Sequence, residues 1–153
     1  MRPRYETPED RSRERQALRR VAHSMGFKSR PTPPFSVVDG EVADTSNPDV
    51  TRLIAVAEVK CRYVMHDRFP ELLISKAKIE NGLAFAKSCA VEYWLIIQWL
   101  DKTGWTKIES LGFKTAIGGR SDRFDRLDKE WCYLIPIAQF TMLEVPLDAA
   151  QGL

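Results

Sequence analysis

The sequence predicts one α/β domain in which a mixed central sheet carries a helix on each face. Three features predict it. A segment of helical periodicity opens the chain, two long apolar runs at Thr51–Arg62 and Glu92–Leu100 have the character of buried strands, and a second helical segment lies between those runs. A strand, a helix and a strand in that order make a right-handed parallel crossover. At 153 residues the chain suits one domain, 1–153, with a core large enough to fold without disulfide or metal staples.

The first helix starts at Thr7-Pro8-Glu9-Asp10. Thr7 is a capping residue, Pro8 suits the first helical turn, where no N–H is needed, and Asp10 favours the positive helix end. Ala17, Leu18, Val21, Ala22 and Met25 recur at helical spacing, and Gly26 is a C-terminal stop. Glu14 falls on the same inward stripe, one turn before Leu18. A carboxylate there costs desolvation unless a metal or a basic partner offsets it.

Residues 28–34, rich in proline, read as a connector. Phe35 to about Ala43 is strand-like, and Asp44 to Asp49 has turn chemistry. Thr51–Arg62 is the clearest strand. Phe69 to Ser88 reads as the second helix, with Pro70 near its start. Its apolar arc is Leu72, Leu73, Ala77, Ile79, Leu83, Ala84 and Ala86, with Lys76 projecting from the middle and Lys78 on the outer face. After the Glu92–Leu100 strand, Asp101–Gly104 is a hairpin-like turn into Trp105–Leu111. Gly118 to Asp128 is a charged loop. Glu130–Leu143 is a last strand, at an edge or broken near Pro136. Residues 1–6 and 147–153 read as loose tails.

Composition excludes several classes of function. No apolar run approaches the roughly 20 residues of a membrane span. The polar, Arg-rich start has no secretory hydrophobic segment. Cys61, Cys89 and Cys132 are odd in number and widely spaced, as reduced cytoplasmic thiols would be. His23 and His66 are the two histidines, which leaves little for a zinc site or a histidine triad; both read as structural or exposed. Trp94, Trp99, Trp105 and Trp131 read as packing residues. The net charge of +2 carries little information, but residues 1–30 hold eight Arg and one Lys against four acidic groups. That excess is either a solvated helix face or a patch for phosphates.

Glu58-Val59-Lys60 closes the apolar strand, and strand alternation points Glu58 and Lys60 to one face. Such a pair is either an ion pair at a strand end or a metal ligand with a water-activating lysine beside it. With an inward Glu on the helix upstream, an inward Lys on the helix downstream and a second buried strand after that, the chain resembles the PD-(D/E)XK nuclease superfamily over roughly residues 9–100. The resemblance implies a restriction-endonuclease-like α-β-β-β-α-β core, the small stand-alone type of phages and mobile elements, and a host-cytoplasmic location if phage-encoded. It matches Glu58-Val59-Lys60 to the family triplet, Glu14 to the glutamate of the first helix, and Lys76, ahead of Lys78, to the basic residue of the later helix.

The family also has an aspartate on the preceding strand. The literal Pro48-Asp49 lies nine residues before Glu58, on the same extended run. If Pro48-Asp49 is the centre of the turn, facing residues sum to 97 and Asp39 faces Glu58, within about 5 Å across the strands. A turn centred at Asn47 would bring Ser36 there instead. Asp39 is preferred, with Asp44 and Asp49 as alternatives.

The resemblance implies metal-dependent hydrolysis of DNA, as an endonuclease leaving 5′-phosphate ends. Asp39, Glu58 and the Val59 carbonyl would hold Mg²⁺ or Mn²⁺. Glu14 would orient water or hold a second ion, and Lys60 would favour the deprotonated form of the attacking water. Arg62, Lys76 and Arg120 are the candidate phosphate contacts, although Arg120 and Arg123 also alternate with Asp122, Asp125 and Asp128 as a surface ion-pair loop would. No membrane and no small-molecule cofactor is implied. Without a specificity domain, selectivity would come from DNA structure, a partner protein or a homodimer. RNA as substrate stays open, as does a non-catalytic protein of degenerate nuclease fold that binds nucleic acid or a host factor.

Overall fold

The computed structural model describes residues 7–118 and 130–145. Helix α1 (Pro8–Ser24) leads into an edge strand β1 (Lys28–Pro31) and the hairpin β2 (Gly40–Asn47) and β3 (Val50–Cys61). Strand β4 (Glu71–Ser75) precedes α2 (Lys76–Ser88), which returns the chain to β5 (Glu92–Gln98) and β6 (Lys102–Lys107). Then come β7 (Lys114–Gly118), β8 (Glu130–Pro136), a short 3₁₀ turn (Ile137–Gln139) and β9 (Thr141–Glu144). The main sheet has the order β1-β2-β3-β5-β6-β9, with β3 and β5 parallel and its other pairs antiparallel. A second sheet, β4-β8-β7, is antiparallel throughout. The elements follow the α-β-β-β-α-β order that the resemblance implies, in α1, β1–β3, α2 and β5, with an added small sheet.

Alternation along β3 and β5 divides the interior. Ala55, Ala57, Val59, Trp94 and Ile96 pack with Ala17, Leu18, Val21 and Ala22 of α1. Val56, Tyr93, Leu95 and Ile97 face the other way, toward Ile79, Leu83 and Ala86 of α2 and Ile74, Tyr133 and Ile135 of the small sheet. Thr7 and Asp10 form a reciprocal capping box at the start of α1. Arg20 ties that helix to the main sheet, donating to Gln98 Oε1 at 2.9 Å and Thr103 Oγ1 at 2.7 Å. Gly82 marks the closest approach of α2 to the sheet: a Cβ there would lie 2.3 Å from the Tyr93 ring and hydroxyl.

Several local expectations are corrected. Residues 28–31 are an edge strand rather than a connector, because proline is tolerated where no ladder N–H is needed. Strand β2 starts at Gly40, not Phe35, and runs through Asp44 to Asn47, leaving Pro48-Asp49 alone at the turn. The expected helix from Phe69 is β4 followed by α2. Leu72 and Ile74 alternate inward with period two, and Ser75 caps the true helix start through the Lys78 N–H. The turn after β5 falls earlier than Asp101–Gly104, since Lys102 is already in β6. The last strand breaks at Pro136, and β9 joins the main sheet instead of β8's. Trp131 departs from the packing reading, being 56% exposed. His66 is bound through Nδ1 to Asp101 at 2.6 Å, and His23 is exposed. The three cysteines are free thiols. The Gly119–Asp128 loop, with Arg120 and Arg123, and the two tails lie outside the described residues. Among the described residues, no helix is long and apolar enough to cross a membrane.

Candidate active site

The β2–β3 register runs Asn47↔Val50, Glu41↔Val56 and Gly40↔Ala57. Two shifts between Val42 and Asn47 cancel, so the pairing returns to numbers that sum to 97 at the far end. Just past Gly40, the Asp39 N–H donates to the Ala57 carbonyl at 2.8 Å, and Asp39 Oδ2 accepts from the Val59 N–H at 2.9 Å. Asp39 thereby closes the end of the hairpin beside Glu58. Because the Ala57 carbonyl and the Val59 N–H face this edge, the Val59 carbonyl faces it too, where β2 has ended. Asp44 and Asp49 are elsewhere: Asp44 accepts from the Ser46 N–H and pairs with Arg52, and Asp49 sits in the exposed turn.

Glu58 is 2% exposed, on the α2 side of the main sheet. Its pKa is raised from 4.5 to about 7, chiefly by burial and then by the Asp39 carboxylate, against the pull of Lys60 and Lys78. Its Oε1 is sealed from solvent without a hydrogen-bond partner. Two ammonium groups flank that oxygen beyond hydrogen-bond length, Lys60 Nζ at 3.6 Å and Lys78 Nζ at 3.7 Å. For Lys60, burial acts downward, but Glu58, Asp39 and Glu14 help to hold the ammonium form, and the net shift is upward. For Lys78, burial and crowding by Lys60 give a net downward shift despite Glu58. The Tyr93 hydroxyl, also buried and unpartnered among the described residues, lies in the field of Glu58 and Asp39; burial is the main cause of its raised pKa.

A cavity of about 240 Å³ opens onto this group, lined by Ser36, Val37, Asp39, Glu58, Lys78 and Asn81. Lys78 and Asn81 are one turn apart on α2. Both are exposed but border the cavity, a placement that a helix beginning at Phe69 does not predict; the Ser75 cap is the sequence signal that sets the true phase. Lys76 lies on the other flank of the buried stripe, 3.9 Å from Glu80 and with its ammonium 6.0 Å from the Tyr133 ring centroid. Glu14 is half-buried and acts electrostatically on Lys60, Cys61 and Arg62. Arg62 donates to the Cys61 and Leu73 carbonyls at 3.1 Å each, so its guanidinium braces the strand end against β4.

Among the described residues, no group of three His, Cys, Asp or Glu side chains gathers into a cation cage. The donors that do meet are hard oxygens: the Asp39 and Glu58 carboxylates and, on the same edge, the Val59 carbonyl. Their chemistry fits Mg²⁺ or Mn²⁺, ions that keep several waters, and the orphaned Glu58 Oε1 is the position a cation would satisfy.

A family model described as "Phage putative PDDEXK endonuclease" matches residues 1–143. Among solved structures, the chain is similar to that of Archaeoglobus fulgidus Hjc, a Holliday junction resolvase from an archaeal hyperthermophile. The TM-score is 0.51 at 16% identity, over 92% of this chain and 94% of that one. A search of curated proteins finds no match.

Proposed function

The chain belongs to the phage PDDEXK endonuclease family, and from that premise we propose that it is a Mg²⁺- or Mn²⁺-dependent deoxyribonuclease acting at Asp39, Glu58 and Lys60. The observation that supports this most is the buried Glu58 oxygen with no hydrogen-bond partner, next to a second carboxylate and within 4 Å of two ammonium groups. A simple ion pair would not need Asp39, whose charge makes the ionised form of Glu58 harder to keep. A cation reverses that conflict.

When bound, the metal supplies Lewis-acid polarisation of a phosphoryl oxygen and activation of water near neutral pH. Asp39, Glu58 and the Val59 carbonyl would hold it. Lys60, kept protonated by its carboxylate neighbours, hydrogen-bonds the attacking water and stabilises its deprotonated form. Lys78, on the cavity wall, positions a phosphate oxygen. Glu14 tunes Lys60 from the α1 side. Lys76 is left as a more distant phosphate contact. The family resemblance implies products with a 5′-phosphate and a 3′-hydroxyl.

The test is cleavage of linear, nicked, branched and single-stranded DNA with Mg²⁺ or Mn²⁺; the fold likeness to a junction resolvase is the reason to include branched DNA. The wild type is expected to cut at least one of these, giving ends that ligate without added kinase, and Asp39→Asn to cut none. Cutting by Asp39→Asn at the wild-type rate would remove this site from the reaction.

A further inference from the structure

The loop that leaves β3 carries Tyr63 back against α1. Arg13 lies over the Tyr63 ring, its guanidinium carbon 5.1 Å from the ring centroid. Tyr63 is itself fixed, its hydroxyl bonded to the Asp10 carboxylate, and Asp10 is held by the Thr7 capping box. The first turn of α1 and the end of the catalytic strand therefore build one platform, three residues beyond Lys60 and next to Glu14.

Apart from the Tyr63 ring, that platform aims the guanidinium at no acceptor among the described residues. Arg13 Nε is covered but has no hydrogen-bond partner, and no acceptor among the described residues takes its terminal amino groups. A cation lying over an aromatic face with its Nε covered leaves its terminal amino groups for an outside acceptor, and those groups match phosphate oxygens. Leaving the covered Nε unbonded costs stability, and among the described residues the Tyr63 ring is the contact that holds the guanidinium there. The contrast with Arg62 is informative: its donors bond the Cys61 and Leu73 carbonyls, so it braces the fold.

We propose that Arg13, stacked on Tyr63, is a backbone-phosphate contact for the DNA strand that enters the site from the α1 side. The contact positions without reading sequence. It rests on the nuclease reading above and extends it to the path of the substrate.

The test is fluorescence anisotropy of a labelled DNA duplex with the full chain, in chelator so that no cutting occurs, between about 50 and about 200 mM salt. Removing one phosphate contact lowers the slope of log K against log salt by about 0.9. Arg13→Gln is expected to show that loss and bind about tenfold more weakly at low salt, with its thermal melt unchanged. Arg13→Lys, which keeps the charge but not the planar stack, is expected to keep the slope and bind a few-fold more weakly. If the wild type binds with a salt slope that Arg13→Gln does not change, this inference falls while the nuclease reading stands. If the wild type does not bind the duplex, this inference falls, and cleavage of nicked, branched and single-stranded DNA with metal decides the nuclease reading separately. Should Arg13→Gln fail to fold, Arg13→Lys decides through affinity: wild-type binding by it overturns the stacked contact.

Discussion

Glu58→Gln is expected to make the metal-free protein more stable at neutral pH, by about 3 kcal/mol, while ending hydrolysis. The folded protein holds the Glu58 proton more tightly than the unfolded chain does, because burial and the Asp39 carboxylate disfavour the ionised form. The sign follows from that. At pH below about 4.5 Glu58 is protonated in both states and costs nothing. Between about 4.5 and about 7 the unfolded chain ionises first, so folding stability falls as pH rises, and above about 7 the full penalty is in place. For a chain of this size the relief corresponds to a melting-temperature rise of about 6–12 °C at pH 8. Thermal melts in chelator at pH 5 and pH 8 check it. The variant's advantage should be small at pH 5 and large at pH 8. An equal shift at both would mean that the penalty is not one of ionisation.

Lys60→Ala is expected to lower kcat by about 10³-fold, whereas Lys78→Ala is expected mainly to raise KM, by about tenfold. The two ammonium groups sit almost equally far from Glu58 Oε1, so distance to the carboxylate does not separate their roles. Surroundings do. Lys60 is on the catalytic strand, among Glu58, Asp39 and Glu14, with the fixed backbone of a buried strand to orient it. Lys78 extends from α2 and is about half exposed. An ammonium held rigidly beside the carboxylates suits orienting the attacking water, and one on the cavity wall suits the phosphate. Single-turnover and steady-state kinetics on the preferred substrate separate kcat from KM. A kcat loss confined to Lys78→Ala would exchange the two assignments.

The sequence made legible what depends on local pattern. The capping box at Thr7 and Asp10 set the start of α1, the unbroken apolar run before Glu58 marked the central strand, and turn chemistry at Pro48-Asp49 gave the register that brings Asp39 to Glu58. That register survived two irregularities only because they cancel, which no sequence rule could have foreseen. The small sheet was hidden because Leu72, Leu73 and Ile74 are a short apolar run, compatible with either helix or strand, and because its other two strands, β7 and β8, begin only at Lys114 and Glu130. The same ambiguity moved the apparent phase of α2 and exchanged Lys76 for Lys78. The bracing roles of Arg62, expected to contact phosphate, and of Arg20, counted only in the basic excess of residues 1–30, were not legible, since their carbonyl and side-chain acceptors are brought to them only by tertiary packing.

Isothermal titration of the metal-free protein with Mn²⁺ tests the central claim most directly. Binding is expected in the wild type, with protons released near neutral pH as Glu58 ionises, and is expected to be lost in both Asp39→Asn and Glu58→Gln. Mn²⁺ binding of undiminished affinity in both variants would contradict a cation site at the end of this hairpin.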